Sequence, residues 1–143
     1  MQRVLVATDG SEVADRALIA AAELAKTAAA ELVIVNVEQG GLSGDLAAMR
    51  ETEQASMDDI LYTVSTEILA RAQAKAAALG VSKIRTHSGL GDASGCILEI
   101  AASEQPEIIV VGRRGHGRLM GLLIGSVSQK LASLAPCKVL IVP

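Results

Sequence analysis

Residues Ile108 to Ser128 read IIVVGRRGHGRLMGLLIGSVS. The run Ile108 to Val111 is bare apolar sequence that breaks at Gly112, as a strand buried on both faces does in a parallel sheet. Glycines follow at 112, 115, 117, 121 and 125, with Arg113, Arg114, His116 and Arg118 among them and no acid. Ser126, Val127 and Ser128 then lead into a helical pattern. The stretch predicts a strand, an anion-cradling loop and a helix N-terminus, where main-chain N–H groups and the helix dipole favour negative charge.

Charge around this stretch is lopsided. The chain of 143 residues carries 13 Lys and Arg against 16 Asp and Glu, a net of -3. The last acid is Glu107. From Ile108 onward the five bases Arg113, Arg114, Arg118, Lys130 and Lys138 give +5, so the rest is -8. Such asymmetry within one small chain points to an anionic ligand near its C-terminal third.

Working outward, Arg3 to Thr8 (RVLVAT) and Glu31 to Val37 (ELVIVNV) are two more apolar strands. Between them lie the turn Asp9-Gly10-Ser11-Glu12 and a helix over Val13 to Thr27, with Ala17, Leu18, Ala21 and Leu24 on one face. Glu38 to Ala55 is broken by Gly40, Gly41 and Gly44. It reads as a lid, a binding loop or a plain surface insertion. Ser56 to Leu79 is helical, with a stripe of Met57, Ile60, Leu61, Val64, Ile68, Ala72, Ala76 and Leu79, and Gly80 ends it. Lys83 to His87 is a more polar strand that suits a sheet edge. Asp92 can cap a helix over Ala93 to Ser103. Glu107 to Val111 and Lys138 to Val142 are strands, and Val127 to Leu134 is a helix. The strict β-α alternation predicts a single α/β domain, a five-stranded parallel sheet with helices on both faces.

Composition excludes several functions. The core must be aliphatic, because the chain has no Phe, no Trp and one Tyr, Tyr62. Single-stranded nucleic acid is normally held by aromatic stacking, so it is a poor partner. Net acidity argues against duplex DNA. No apolar run is long enough to span a membrane, and the N-terminus enters a strand without the apolar core of a signal peptide. Cys96 and Cys137 lack metal-ligand spacing and read as buried thiols in a reducing, cytoplasmic compartment.

Ligands of open parallel sheets bind beyond the strand carboxyl ends, where strand order reverses. A 3-2-1-4-5 order brings Thr8-Asp9 and Val111-Gly112 together; a 2-1-3-4-5 order puts the crevice between the first and third strands instead. Asp9 can contact a ligand or cap the first helix. Ser126 can contact a ligand or, with Gln129, form a capping box. The spacing of GxxxxGK[ST] fails, because Arg118 and Leu119 replace its Lys and Ser/Thr. No general base with an oriented partner stands out, and no Ser–His–Asp set. His87 shows no partner and reads as structural.

Gly112-x2-Gly115-x9-Gly125-Ser126 does fit a pattern. Together with VLVATDGSE near the start, NVE after the second strand, GSVSQKL and the ending PCKVLIVP, it resembles the universal stress protein family, whose nucleotide-binding members carry G-x2-G-x9-G-[ST]. The resemblance covers the whole chain. It implies a Rossmann-like fold of strand order 3-2-1-4-5 that binds ATP with a divalent metal, Mg2+ or Mn2+. Ala7, Thr8 and Asp9 would border adenine and ribose, and Val37 would wall the adenine pocket. Gly112, Arg113, Arg114, Gly115, His116, Gly117 and Arg118 would wrap ribose and phosphates, with Gly125, Ser126, Val127 and Ser128 holding the phosphate tail. It also implies a regulatory stress-response role and homodimers through the last strand, Val139 to Val142. Slow ATP hydrolysis or autophosphorylation, or a dimeric interaction module without nucleotide, are the alternatives. An adenylating ligase is a poorer match, since TDGSE replaces an SGGxDS-like loop. So is a receiver domain, since His87-Ser88 stand where a phosphoacceptor Asp would.

Overall fold

Each apolar run becomes a strand and each periodic stretch a helix. A computed structural model describes residues 1–39, 51–113 and 125–143, and only the backbone of 51–55. The order is β1 (Arg3–Ala7), α1 (Glu12–Ala28), β2 (Glu31–Glu38), α2 (Glu51–Ala78), β3 (Ile84–Leu90), α3 (Ala93–Glu104), β4 (Ile108–Gly112), α4 (Ser126–Leu134) and β5 (Lys138–Val142). The five strands form one sheet in the order β3-β2-β1-β4-β5. All four pairings are parallel. The expected 3-2-1-4-5 order therefore holds, and the 2-1-3-4-5 alternative is excluded. The more polar β3 lies at an edge, as its composition suggested.

The central strands are covered on both sides. Val4, Val6, Leu32, Ile34 and Val110 pack under α1 and α2. Leu5, Val33, Val35, Ile109 and Val111 pack under α3 and α4. This alternation within unbroken apolar runs is what a doubly covered sheet demands.

Helix α1 starts at Ser11, whose hydroxyl accepts from Ala14 N–H at 3.2 Å. Glu12 and Asp15 sit in its first turn and gain roughly 0.3–1 kcal/mol each from the dipole. Full burial of Leu18 contributes roughly 1.5–3 kcal/mol, so burial, not terminal charge, fixes the helix. Its buried face is otherwise alanine: Ala14, Ala17, Ala21, Ala22 and Ala25. Small side chains let α1 lie close to the sheet. At Gly112 the approach is so tight that a Cβ would sit 2.6 Å from Val13 Cγ1 and 3.3 Å from Val13 backbone atoms.

Helix α2 departs from expectation twice. It begins at Glu51, five residues before the expected Ser56. Its expected apolar stripe is also divided. Ile68, Ala72 and Ala76 are buried with Leu69, whereas Met57, Ile60 and Val64 are exposed. The reason is geometric: the carboxyl half of α2 lies over the sheet, and a stripe needs a partner surface along its whole length to be buried. Gly80, at φ 101°, follows the helix as its αL residue.

Strand β3 runs to Leu90, three residues beyond the expected His87, because it pairs with β2 as far as Glu38. His87 does have a partner: its Nε2 lies 3.2 Å from Glu104 Oε1. Glu104 also accepts from Arg85, and Glu31 accepts from Arg85 Nε at 2.9 Å and Arg3 Nε at 3.2 Å. This strap ties β1, β2 and β3 to the end of α3. The Arg85 guanidinium holds the Glu31 carboxyl below its ordinary range. Cys96 and Cys137 are free thiols, half-buried rather than fully buried; burial pushes both upward.

Candidate functional site

Strand order reverses between β1 and β4, which are neighbours in register Val4 to Ile108 through Val6 to Val110. The crevice between their carboxyl ends is bounded by the β1–α1 turn on one side and the start of α4 on the other.

Three expected residues share one face there. Ala7, Val37 and Val127 all pack against the α3–α4 core cluster. Val37 has a close neighbour in Gly89, its register partner on β3. A Cβ on Gly89 would lie 3.3 Å from Val37 Cγ2 and 3.5 Å from Cys96 Cβ. Gly89 therefore keeps open the space beside Val37, and nothing in the sequence signalled it.

Thr8 turns the other way. It is 6% exposed, and its hydroxyl accepts from Gly10 N–H at 3.1 Å. Its N–H donates to Val35 O at 2.9 Å, and its carbonyl accepts from Asn36 Nδ2 at 2.7 Å. The side chain thus shapes the turn from beneath. Asn36 was missed by sequence reasoning, although one amide within the apolar run ELVIVNV is a visible signal. Its Oδ1 is buried with no partner among the described residues.

Asp9 is half-buried, and its Oδ1 accepts from Ser11 N–H at 2.9 Å. It does not cap α1, because Ser11 does. The Asp9 carboxylate instead braces the turn at the mouth of the crevice.

Across the crevice, Gly125 is the N-cap of α4, and no side chain among the described residues caps that helix. Of the two alternatives for Ser126, the capping box with Gln129 is not formed, because Gly125 holds the N-cap position. Ser126 is instead exposed at the first helical position. A helix start leaves N–H groups without intrahelical acceptors, and no capping oxygen covers them among the described residues. The glycine is held by its own N–H, which donates to Arg113 O at 2.8 Å. Ser128 is buried, and its hydroxyl donates to Gly112 O at 2.6 Å. Arg113 N–H donates to Val142 O at 2.6 Å. The ends of β4 and β5 and the start of α4 are thereby locked together, with Arg113 exposed at the rim. Arg114, Gly115, His116, Gly117 and Arg118 lie outside the described residues.

Among the described residues no three His, Cys, Asp or Glu side chains gather as a metal site. No helix among them is long and apolar enough to cross a membrane.

An open, doubly covered parallel sheet with an uncapped helix start at its reversal point defines a Rossmann-like domain. The chain belongs to the universal stress protein family, whose model matches residues 1–143. It is 37% identical to universal stress protein YxiE of Bacillus subtilis, over 98% of this chain and 97% of that protein. Its fold matches the universal stress protein UspA from Lactobacillus plantarum with a TM-score of 0.86 at 20% identity, covering 99% of this chain and 97% of that one. It also matches a universal stress protein solved in complex with cAMP, with a TM-score of 0.73 at 28% identity over 99% of this chain and 97% of that one.

Proposed function

We propose that this chain binds ATP in the β1–β4 crevice and acts as a regulatory stress-response protein. The observation that carries this reading is the uncapped start of α4, set on the locked end of β4. Polyphosphate would meet the N–H groups of Ser126, Val127 and Ser128, with Arg113 and the bases of 114–118 neutralising it. Adenine would lie against Ala7 and Val37, and ribose near Asp9. The solved relative that holds cAMP supports an adenine nucleotide; the G-x2-G-x9-G-[ST] pattern favours a longer phosphate tail. A divalent ion, Mg2+ or Mn2+, would be held chiefly through phosphate oxygens, with Asp9 as the protein carboxylate joining it. That arrangement does not require a cluster of protein ligands.

No nucleophile with an oriented base stands in the crevice among the described residues, and ATP is read as a bound signal. The free thiols fit a reducing, cytoplasmic setting. Homodimers would form through β5, an edge strand whose Leu140 is 37% exposed.

The test is to denature purified protein and seek released nucleotide by mass spectrometry, then to measure the Tm with added Mg-ATP. Occupancy at one hundred times Kd stabilises by about 2.7 kcal/mol. Ser126→Glu puts a carboxylate at the phosphate position while suiting a helix start, so it should keep its own Tm and lose the ATP-induced rise. No released nucleotide and no rise in the wild-type protein would sink the proposal.

A further inference from the structure

On the opposite side of the sheet from the Ala7–Val37 face lies a cavity of about 130 Å³. The β1–α1 turn supplies Thr8 and Gly10, α1 supplies Asp15, and α2 supplies Ile68, Arg71 and Lys75. We propose that this cavity is a second site, for a small oxyanion: inorganic phosphate or a short carboxylate.

Charge comes first. Asp15 Oδ2 and Lys75 Nζ are 3.6 Å apart and offset one another. Arg71 has no hydrogen bond or ion pair among the described residues. The lining therefore carries one uncompensated cation. Arg71 and Lys75 are four residues apart on α2, so they lie one above the other on the same helix face. A guanidinium offers a planar fork of donors that matches a carboxylate or phosphate edge.

The inner wall adds a buried donor. The Thr8 hydroxyl accepts from Gly10 N–H, and its own proton makes no bond among the described residues. At 6% exposure, a hydroxyl without an acceptor favours an entering anion. Ile68 and the Gly10 backbone close the remainder; a Cβ on Gly10 would lie 3.5 Å from Ile68 Cγ1.

Size selects the class. Pockets that enclose drug-sized molecules run from about 300 Å³ upward, so a nucleotide does not fit. Of such cavity volume a single water needs about 10–15 Å³, so the cavity has room for phosphate or a two- to four-carbon carboxylate. The site does not depend on nucleotide binding in the crevice.

The experiment is a titration of the 15N-labelled full chain with potassium phosphate, and separately with sodium acetate, at ionic strength held constant with KCl. Amide shifts of Gly10 and Ile68 should saturate with at least one anion, and the anion that saturates at lower concentration names the natural class. Arg71→Gln, on the exposed side of α2, should keep the wild-type Tm and weaken binding about tenfold. Lys75→Gln should weaken it in the same direction. Shifts that fail to saturate with both anions, that chloride reproduces, or that persist unchanged in Arg71→Gln would overturn the proposal. So would shifts confined to Ser126–Ser128, since phosphate would then be entering the crevice instead.

Discussion

Two serines two residues apart, on opposite sides of the first turn of α4, show how much depends on the direction of a side chain. Ser128 is buried and bonded to Gly112 O, whereas Ser126 is exposed and bonds nothing among the described residues. Ser128→Ala should destabilise the ligand-free protein by about 1–2 kcal/mol, because it strips a buried carbonyl of its donor. Ser126→Ala should leave stability within about 0.5 kcal/mol. Urea midpoints of the two variants check both values, and equal midpoints would contradict the assigned roles. Gly112 can be argued the same way. In sequence it reads as the first glycine of a phosphate loop, yet its lack of a Cβ is also what admits Val13 of α1. Gly112→Ala should cost about 1–3 kcal/mol through overpacking, whether or not nucleotide is present. The sequence pattern found the glycine but could not show the helix pressed against it.

The two halves of α2 should respond differently to substitution. Ile60 is 57% exposed and Leu69 is 6% exposed. Ile60→Ser should shift stability by no more than about 0.5 kcal/mol, whereas Leu69→Ala should cost about 2–5 kcal/mol; thermal unfolding of both separates them. Helix α3 carries a pH dependence. Its N-cap Asp92 accepts from Gly95 N–H at 2.9 Å and from Ser94 Oγ at 3.1 Å. These bonds, the backbone one first, hold its carboxyl below the ordinary range. A depressed carboxylate stabilises the fold above its unfolded pKa of about 3.9, and that stabilisation is lost as pH falls through the folded value. Asp92→Ala should therefore be less stable than wild type at neutral pH, and the gap should close as pH drops below about 4. A gap that stays constant from pH 7 to pH 3 would contradict this. Asp92 was legible because a capping acid precedes an apolar period. The length of β3 was not, because its last three residues are strand only through pairing with β2.

For the whole molecule, the open edges of the sheet matter most. β3 and β5 both present unpaired backbone, and β5 carries the more apolar sequence, KVLIV. If β5 is the dimer edge, Leu140→Lys should shift sedimentation from dimer to monomer with the fold retained, as edge lysines block strand pairing. An unchanged dimer would place the interface elsewhere. The sequence by itself determined the α/β class, the number and order of elements and the family, because apolar runs, helical periods and glycine spacing are local properties. It also marked Ala7, Asp9, Val37 and the start of α4 as a group. The strand order was implied by the family resemblance and is borne out. Tertiary structure alone decided the inward turn of Thr8 and the half-exposure of α2. It alone set the pairing of His87 with Glu104 and the Arg71 cavity behind the turn. Each of these depends on which surfaces meet across the sheet, and residues far apart in sequence leave no local trace of that meeting.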